Sequence, residues 1–275
     1  KTVAAGVVGV TVPGVLKASN IKMKKSDYDV LMEPVGFNHI PNKEEKTMNT
    51  VLHKAETRGH ANHGWLDSHH TFSFANYYNP DRMNFGVLRV LNDDIVAPGR
   101  GFGTHPHENM EIITIPLEGT LKHKDSMSNT WIPLHTGEVQ VMSAGSGLYH
   151  SEKNHSESDF LNLFQIWIIP DQMNVEPGYG QKRFEKEERQ NRLQTLVTPH
   201  RDPDESSLKI HQDARISRID LGREKHFVYE PKSLNHGVYL MLIEGSISLG
   251  DEDLQRRDAI GIWEASSFEV KAKED

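Results

Sequence analysis

The sequence predicts an all-β protein built from two similar barrels. Three observations carry that expectation. Short apolar or β-branched runs follow one another between clusters of turn-forming residues. Only one stretch suggests a helix of any length. The two halves also resemble each other weakly: Ile115-Pro-Leu-Glu-Gly-Thr-Leu121 matches Met241-Leu-Ile-Glu-Gly-Ser-Ile247, and Gly137–Met142 matches Arg257–Ile262, at offsets of 126 and 120 residues. At 275 residues the chain is long enough for two small domains with a core each.

Taken from the start, Thr2 to Leu16 carry no charge and are rich in Val, Ala and Gly, between Lys1 and Lys17. The run is short for a bilayer span and matches the apolar region of an export signal, with Ala18 as a cleavage position. Its mild, glycine-rich hydrophobicity is similar to twin-arginine signals, although no Arg-Arg pair is present, and the same run also fits a strand. With the polar segment from Asn20 to Thr47, residues 1–47 are expected to be an export-signal-like remnant and tether. That reading implies export to the periplasm, while Met48 as an alternative start implies a cytoplasmic form. No membrane span is expected in the mature chain.

Phe85–Leu91, Met110–Pro116, Glu138–Met142 and Phe160–Ile169 follow as strands, bounded by turns such as Asn92-Asp93-Asp94 and Ala97-Pro98-Gly99. They place a first β-domain at 48–172. Arg183 to Leu196, with Phe184, Leu193 and Leu196 on a narrow inner face, is the predicted helix of a connecting segment at 173–207. His200–Ser207 within it has linker composition. A second strand-rich domain occupies 208–275.

Composition narrows the chemistry. The chain has no cysteine, so it has no disulfide, no thiol nucleophile and no thiolate metal site; any metal must be held by nitrogen and oxygen. With 31 Lys and Arg against 39 Asp and Glu, a net charge of −8 and no basic run, nucleic acid is not an expected partner. Histidine is abundant: 12 of 16 fall between His39 and His155.

Two of these lie two residues apart in Gly99-Arg-Gly-Phe-Gly-Thr-His105-Pro-His107-Glu-Asn-Met-Glu111. In an extended chain such residues project to one face, so both imidazoles can reach one ion. Gly145-Ser-Gly147-Leu-Tyr-His150-Ser-Glu152 repeats the device with a histidine and a carboxylate. Two such pairs on antiparallel strands supply three neutral imidazoles and one carboxylate and leave coordination positions open. The set suits one divalent transition metal, Fe(II), Mn, Ni, Cu or Zn, rather than Ca. Glu111 shares the parity of His105 and His107 and competes with Glu152 for the carboxylate role. On spacing alone the choice between Glu111 and Glu152 stays open. Either carboxylate is a candidate catalytic base.

The pattern Gly99-x5-His105-x-His107-x3-Glu111 followed by Gly119 resembles the first cupin motif. Gly137-x5-Ser143-Ala-Gly145 with His150-x3-Asn154 resembles the second, with Ser143 at the usual Pro and two extra residues before the histidine. Together with Trp65-Leu-Asp-Ser-His-His70-Thr-Phe-Ser-Phe74, Leu121-Lys-His123-Lys-Asp-Ser126 and His150-Ser-Glu152, these features look like the pirin family, from about Val51 to the C-terminus. The resemblance implies a bicupin, two double-stranded β-helix (jelly-roll) barrels with few short helices. It also implies one metal, most often iron, in the N-terminal barrel, with ligands at His105, His107, His150 and Glu152. Some members are quercetin 2,3-dioxygenases that use O2 on a flavonol-type or other enolic substrate. Others act as metal-dependent or redox-sensing regulators of a protein partner, without turnover. A cytoplasmic location is implied by the same resemblance.

The remaining histidines have plainer expected roles. His69 and His70 are packed or hydrogen-bonded, and His60, His63, His135 and His155 are surface or loop residues. His123 is a hydrogen-bonding strand residue that can orient a ligand imidazole. In the second half, the repeat places Pro231, Ser233, Val270 and Ala272 at the four ligand positions. A degenerate barrel without metal is therefore expected there, unless His226 or His236 substitutes.

Overall fold

The computed structural model describes residues 5–13 and 48–274. Strands β1 (Ala5–Pro13) and β2 (Asn49–His53) come first and both join the second barrel. The first barrel follows as β3 (Gly59–Asn62), β4 (Leu66–His70), β5 (Leu88–Val96), β6 (Gly101–His107), β7 (Glu111–Glu118), β8 (Thr120–Asp125), β9 (Ile132–His135), β10 (Glu138–Ser143), β11 (Leu148–Asn154), β12 (Leu161–Ile168) and β13 (Gly178–Arg183). The second continues with β14 (Gln194–Pro199), β15 (Leu208–Ile210), β16 (Arg215–Leu221), β17 (His226–Tyr229), β18 (His236–Glu244), β19 (Ser246–Leu249), β20 (Glu252–Gln255), β21 (Ala259–Trp263) and β22 (Phe268–Glu274). Among the described residues no helix is long and apolar enough to cross a membrane.

Each barrel closes a seven-stranded sheet over a four-stranded one. The orders are β13-β10-β7-β12-β5-β4-β3 over β6-β11-β8-β9, and β15-β14-β16-β1-β18-β21-β2 over β17-β22-β19-β20. The two large sheets pack on each other through a shared core. Ile113, Ile115, Val139, Val141, Phe164 and Ile166 of the first meet Val8, Val10, Val12, Ile216, Tyr239 and Met241 of the second. A sheet covered on both faces needs apolar residues at successive positions, which is why β7 is an almost unbroken apolar run.

Three boundaries differ from expectation. The uncharged run read as an export-signal remnant is, over Ala5–Pro13, a strand paired antiparallel with β16 and β18. Val8, Val10 and Val12 enter the shared core, while Val7 enters the core of the second barrel. A strand buried on both faces has the same composition as an export segment, so periodicity cannot separate them. Ala18 and the tether at 20–47 lie outside the described residues. The expected helix at Arg183–Leu196 reduces to a 3-10 turn at Lys186–Arg189 between β13 and β14. Asn191, at φ 54°, would break a continuous helix there. Finally, β2, inside the expected first domain of 48–172, pairs with β21 of the second barrel, and β13, inside the expected connection of 173–207, pairs with β10 of the first.

The interiors differ sharply. The second barrel is filled by Leu240, Leu242, Ile247, Leu254, Ile260 and their neighbours. The first holds buried Ser68, Asp94, Thr114, His123, Gln140, His150, Glu152 and Gln165.

Candidate metal centre

Strands β6 and β11 run antiparallel, with His105 opposite His150 and His107 opposite Leu148. Between His150 and Glu152 the register slips, so that Glu152 faces Phe102; the extra residue belongs to β6. Two glycines permit this arrangement. At Gly101 a Cβ would lie 2.5 Å from the Cα of Lys153, so only glycine lets β6 approach β11 beside Glu152. Gly145 turns the chain into β11 at φ +50°, where side chains are strained.

The three imidazoles converge. Each offers a ring nitrogen, and these atoms lie within 4.8 Å of one another. Ring centroids are 4.9 Å apart for His105 and His107, 4.3 Å for His105 and His150, and 4.8 Å for His107 and His150. His105 Nδ1 lies 2.8 Å from the carbonyl oxygen of Gly103, which can only accept, so Nδ1 carries the hydrogen and Nε2 is bare. That Nε2 faces His150 Nε2 at 2.9 Å. Two ring nitrogens at this distance repel unless a proton or a cation lies between them. Burial, then the neighbouring His105, pushes His107 down to about 4. Burial, followed by His105, His107 and His123, pushes His150 still lower. The lone pairs of His107 and His150 are therefore available to a metal at neutral pH, and the tautomer of His105 leaves its Nε2 bare.

Glu152 is buried beside them. Its Oε2 accepts from Gln165 Nε2 at 2.7 Å, and its Oε1 is buried without a hydrogen-bond partner. Burial, then the nearby Asp94 carboxylate, pushes Glu152 up to about 8. Among the described residues the close cluster is formed by the imidazoles alone, with Glu152 outside it. A divalent cation fits the donor set: three neutral imidazoles and one buried carboxylate with a free oxygen.

Glu111 is not part of the site. Its Oε2 accepts from the Ser143 hydroxyl at 2.6 Å, and its Oε1 lies 3.3 Å from His211 Nδ1. On β7, Thr114 faces the barrel interior, with its hydroxyl 3.5 Å from Gln165 Oε1, whereas Ile113 and Ile115 face the shared core. Strand alternation puts Glu111 on that second face. The parity with His105 and His107 fails because the chain turns between β6 and β7, with Asn109 at φ 48°.

Several neighbours were not identified from sequence. Trp167 stands edge-on to His107 at 4.9 Å and to Phe74 at 5.3 Å. Tyr179 stacks on His123 at 5.2 Å, and His123 lies 5.3 Å from His150. Burial pushes the His123 imidazole down to about 4, and neither of its nitrogens has a hydrogen-bond partner. It does not hydrogen-bond as expected. The predicted strand Phe160–Ile169 already contained the signal for Gln165 and Trp167, which alternate on its inner face.

Comparison with known proteins agrees with this geometry. A sequence-family profile described as Pirin matches residues 26–168, and one described as Quercetinase C-terminal cupin domain matches residues 196–275. The chain is 44% identical over 225 residues to a quercetin 2,3-dioxygenase of Escherichia coli, covering 82% of this chain and 94% of that protein. It is 41% identical over 217 residues to a pirin-like protein of Caulobacter vibrioides, covering 79% and 92%. Among solved structures, the bacterial pirin YhhW of Escherichia coli in complex with nickel(II) superposes with a TM-score of 0.77. That structure is 42% identical and covers 82% of this chain and 95% of its own.

Proposed function

The chain belongs to the pirin family, and on that premise we propose that it is a metal-dependent dioxygenase that opens flavonol-type, enolic substrates with O2. His105, His107, His150 and Glu152 hold one divalent ion, and Fe(II) is the working form. The observation that carries this reading is the pair of facing imidazole nitrogens at 2.9 Å beside a buried carboxylate with a free oxygen. When bound, the ion supplies Lewis acidity toward an enolate oxygen and a path for electron density to O2.

The protein's own groups do the rest. The Gly103 carbonyl orients the His105 ring, and burial keeps His107 and His150 neutral. Gln165 holds Oε2 of Glu152, which leaves Oε1 as the oxygen that would face the ion. Trp167 and Phe74 form an aromatic wall beside His107 that suits a flat ring system. A relative crystallised with nickel(II) makes nickel a competing metal.

The test is anaerobic loading of the chain with Fe(II), followed by oxygen uptake and the absorbance change of quercetin. Metal-dependent uptake that is lost in Glu152→Ala supports the proposal. One bound iron per chain with no uptake refutes it.

A further inference from the structure

We infer that the β3–β4 hairpin carries a second metal site, formed by His60, Asp67 and His69, that takes a borderline first-row divalent cation such as Zn2+ or Cu2+. The register builds it: His60 lies opposite His69, and Asn62 opposite Asp67. Alternation then turns these four side chains outward, while Gly59, Leu66, Ser68 and His70 are buried. His60 Nε2 lies 2.7 Å from Asp67 Oδ1, and His69 Nδ1 lies 3.8 Å from the same oxygen. The two imidazoles stack with centroids 4.5 Å apart, and all three donor atoms lie within 4.8 Å of one another. Asn62 Nδ2 donates to Asp67 Oδ2 at 3.4 Å, and Asn62 Oδ1 accepts from the Gly64 amide at 2.8 Å. The carboxylate is thereby held with its other oxygen toward the imidazoles.

Bonds of about 2.0–2.2 Å to nitrogen and oxygen require donors roughly 3.0–3.5 Å apart. The His60 contact must open and the His69 contact must close by a few tenths of an ångström. The side chains are 51%, 38% and 34% exposed for His60, Asp67 and His69, so they can make that adjustment and leave further coordination positions to water. Two imidazoles and a carboxylate favour Zn2+ or Cu2+ over Ca2+ or Mg2+. The site lies outside the barrel, at the end of the sheet where β3 has a single strand neighbour. A cation there ties the last strand to β4 and blunts a free edge.

Zinc bound per chain, measured by equilibrium dialysis of the metal-stripped full chain at low micromolar free Zn2+, tests the site. Wild type is expected to bind two, and His60→Ala/His69→Ala or Asp67→Asn one fewer. His105→Ala/His150→Ala is expected to keep the hairpin zinc, so failure of the barrel centre and failure of the hairpin site give different patterns. In that barrel variant Zn2+ is expected to raise the melting midpoint, and the added Asp67→Asn to abolish the rise. Asp67→Asn preserves size and folding, so an unchanged zinc count in it and in His60→Ala/His69→Ala overturns the inference.

Discussion

Replacing Gly101 with Ala tests whether close approach of β6 to β11 holds the metal centre together. The new Cβ would stand 2.5 Å from the Cα of Lys153 and 2.9 Å from the carbonyl carbon of Glu152, and closer still to the Glu152 oxygen. Ordinary contact begins at 3.4 Å, and every obstructing atom is backbone. The φ at Gly101 is not positive, so the whole cost is steric. The strands must part by about 1 Å, an overpacking that costs up to about 3 kcal/mol. At roughly 2–4 °C per kcal/mol, calorimetry of the metal-free protein should show a midpoint lowered by up to about 6–12 °C. The same displacement separates His105 from His150, and loss of such support typically weakens metal binding by about 10–100-fold. Gly103→Ala is the control: a Cβ there meets nothing within 4 Å, and the change should stay within about 0.5 kcal/mol. If the two variants melt together and bind metal equally, the argument from strand approach is wrong.

Other consequences are equally direct. Glu111→Gln should leave the metal count unchanged, whereas Glu152→Gln should lower metal affinity; equal loss in both would return Glu111 to the site. Burial, opposed by a Ser68 hydrogen bond and reinforced by Asp93, pushes Asp94 up to about 7 from 3.8. The folded state then holds a proton that the unfolded state releases, so stability of the metal-free protein falls as pH rises from about 4 to 7, by on the order of 4 kcal/mol. Asp94→Asn should flatten that fall in urea titrations across the range, and an unchanged slope would locate it elsewhere. Val10→Ala, at a fully buried position of β1, should cost about 2 kcal/mol in the same assay. An unchanged urea midpoint would mean that β1 is not part of the folded core.

The strand content and the histidine pairs were legible because each is local, and the duplication because Ile115–Leu121 and Met241–Ile247 repeat one short pattern. His105-Pro-His107 and His150-Ser-Glu152 declare their faces within three residues. What was hidden depends on distant partners. Nothing between Ala5 and Pro13 indicates that its neighbours will be β16 and β18, more than two hundred residues away. The pairing of β2 and β13 is hidden for the same reason. Glu111 shows how a local rule fails. Counting parity from His107 assumes one continuous strand, and the turn through Asn109 reverses the face.

The two interiors show what a duplicated barrel can do with one topology. β12 lies between β5 and β7 in the first barrel, and β1 occupies the corresponding place between β16 and β18 in the second. Where β12 turns Leu163, Gln165 and Trp167 inward, β1 turns Val7, Gly9 and Thr11 inward. The first choice gives Glu152 its amide partner and leaves His123, His150 and Glu152 with buried polar atoms that make no hydrogen bond. Each such atom opposes folding. The shared apolar core and the apolar second barrel offset that cost, so the polar pocket can be kept open for a metal without loss of the fold. Stability and chemistry are thus divided between two copies of one architecture, and loosening the apolar copy should weaken metal binding in the polar one through the sheets they share.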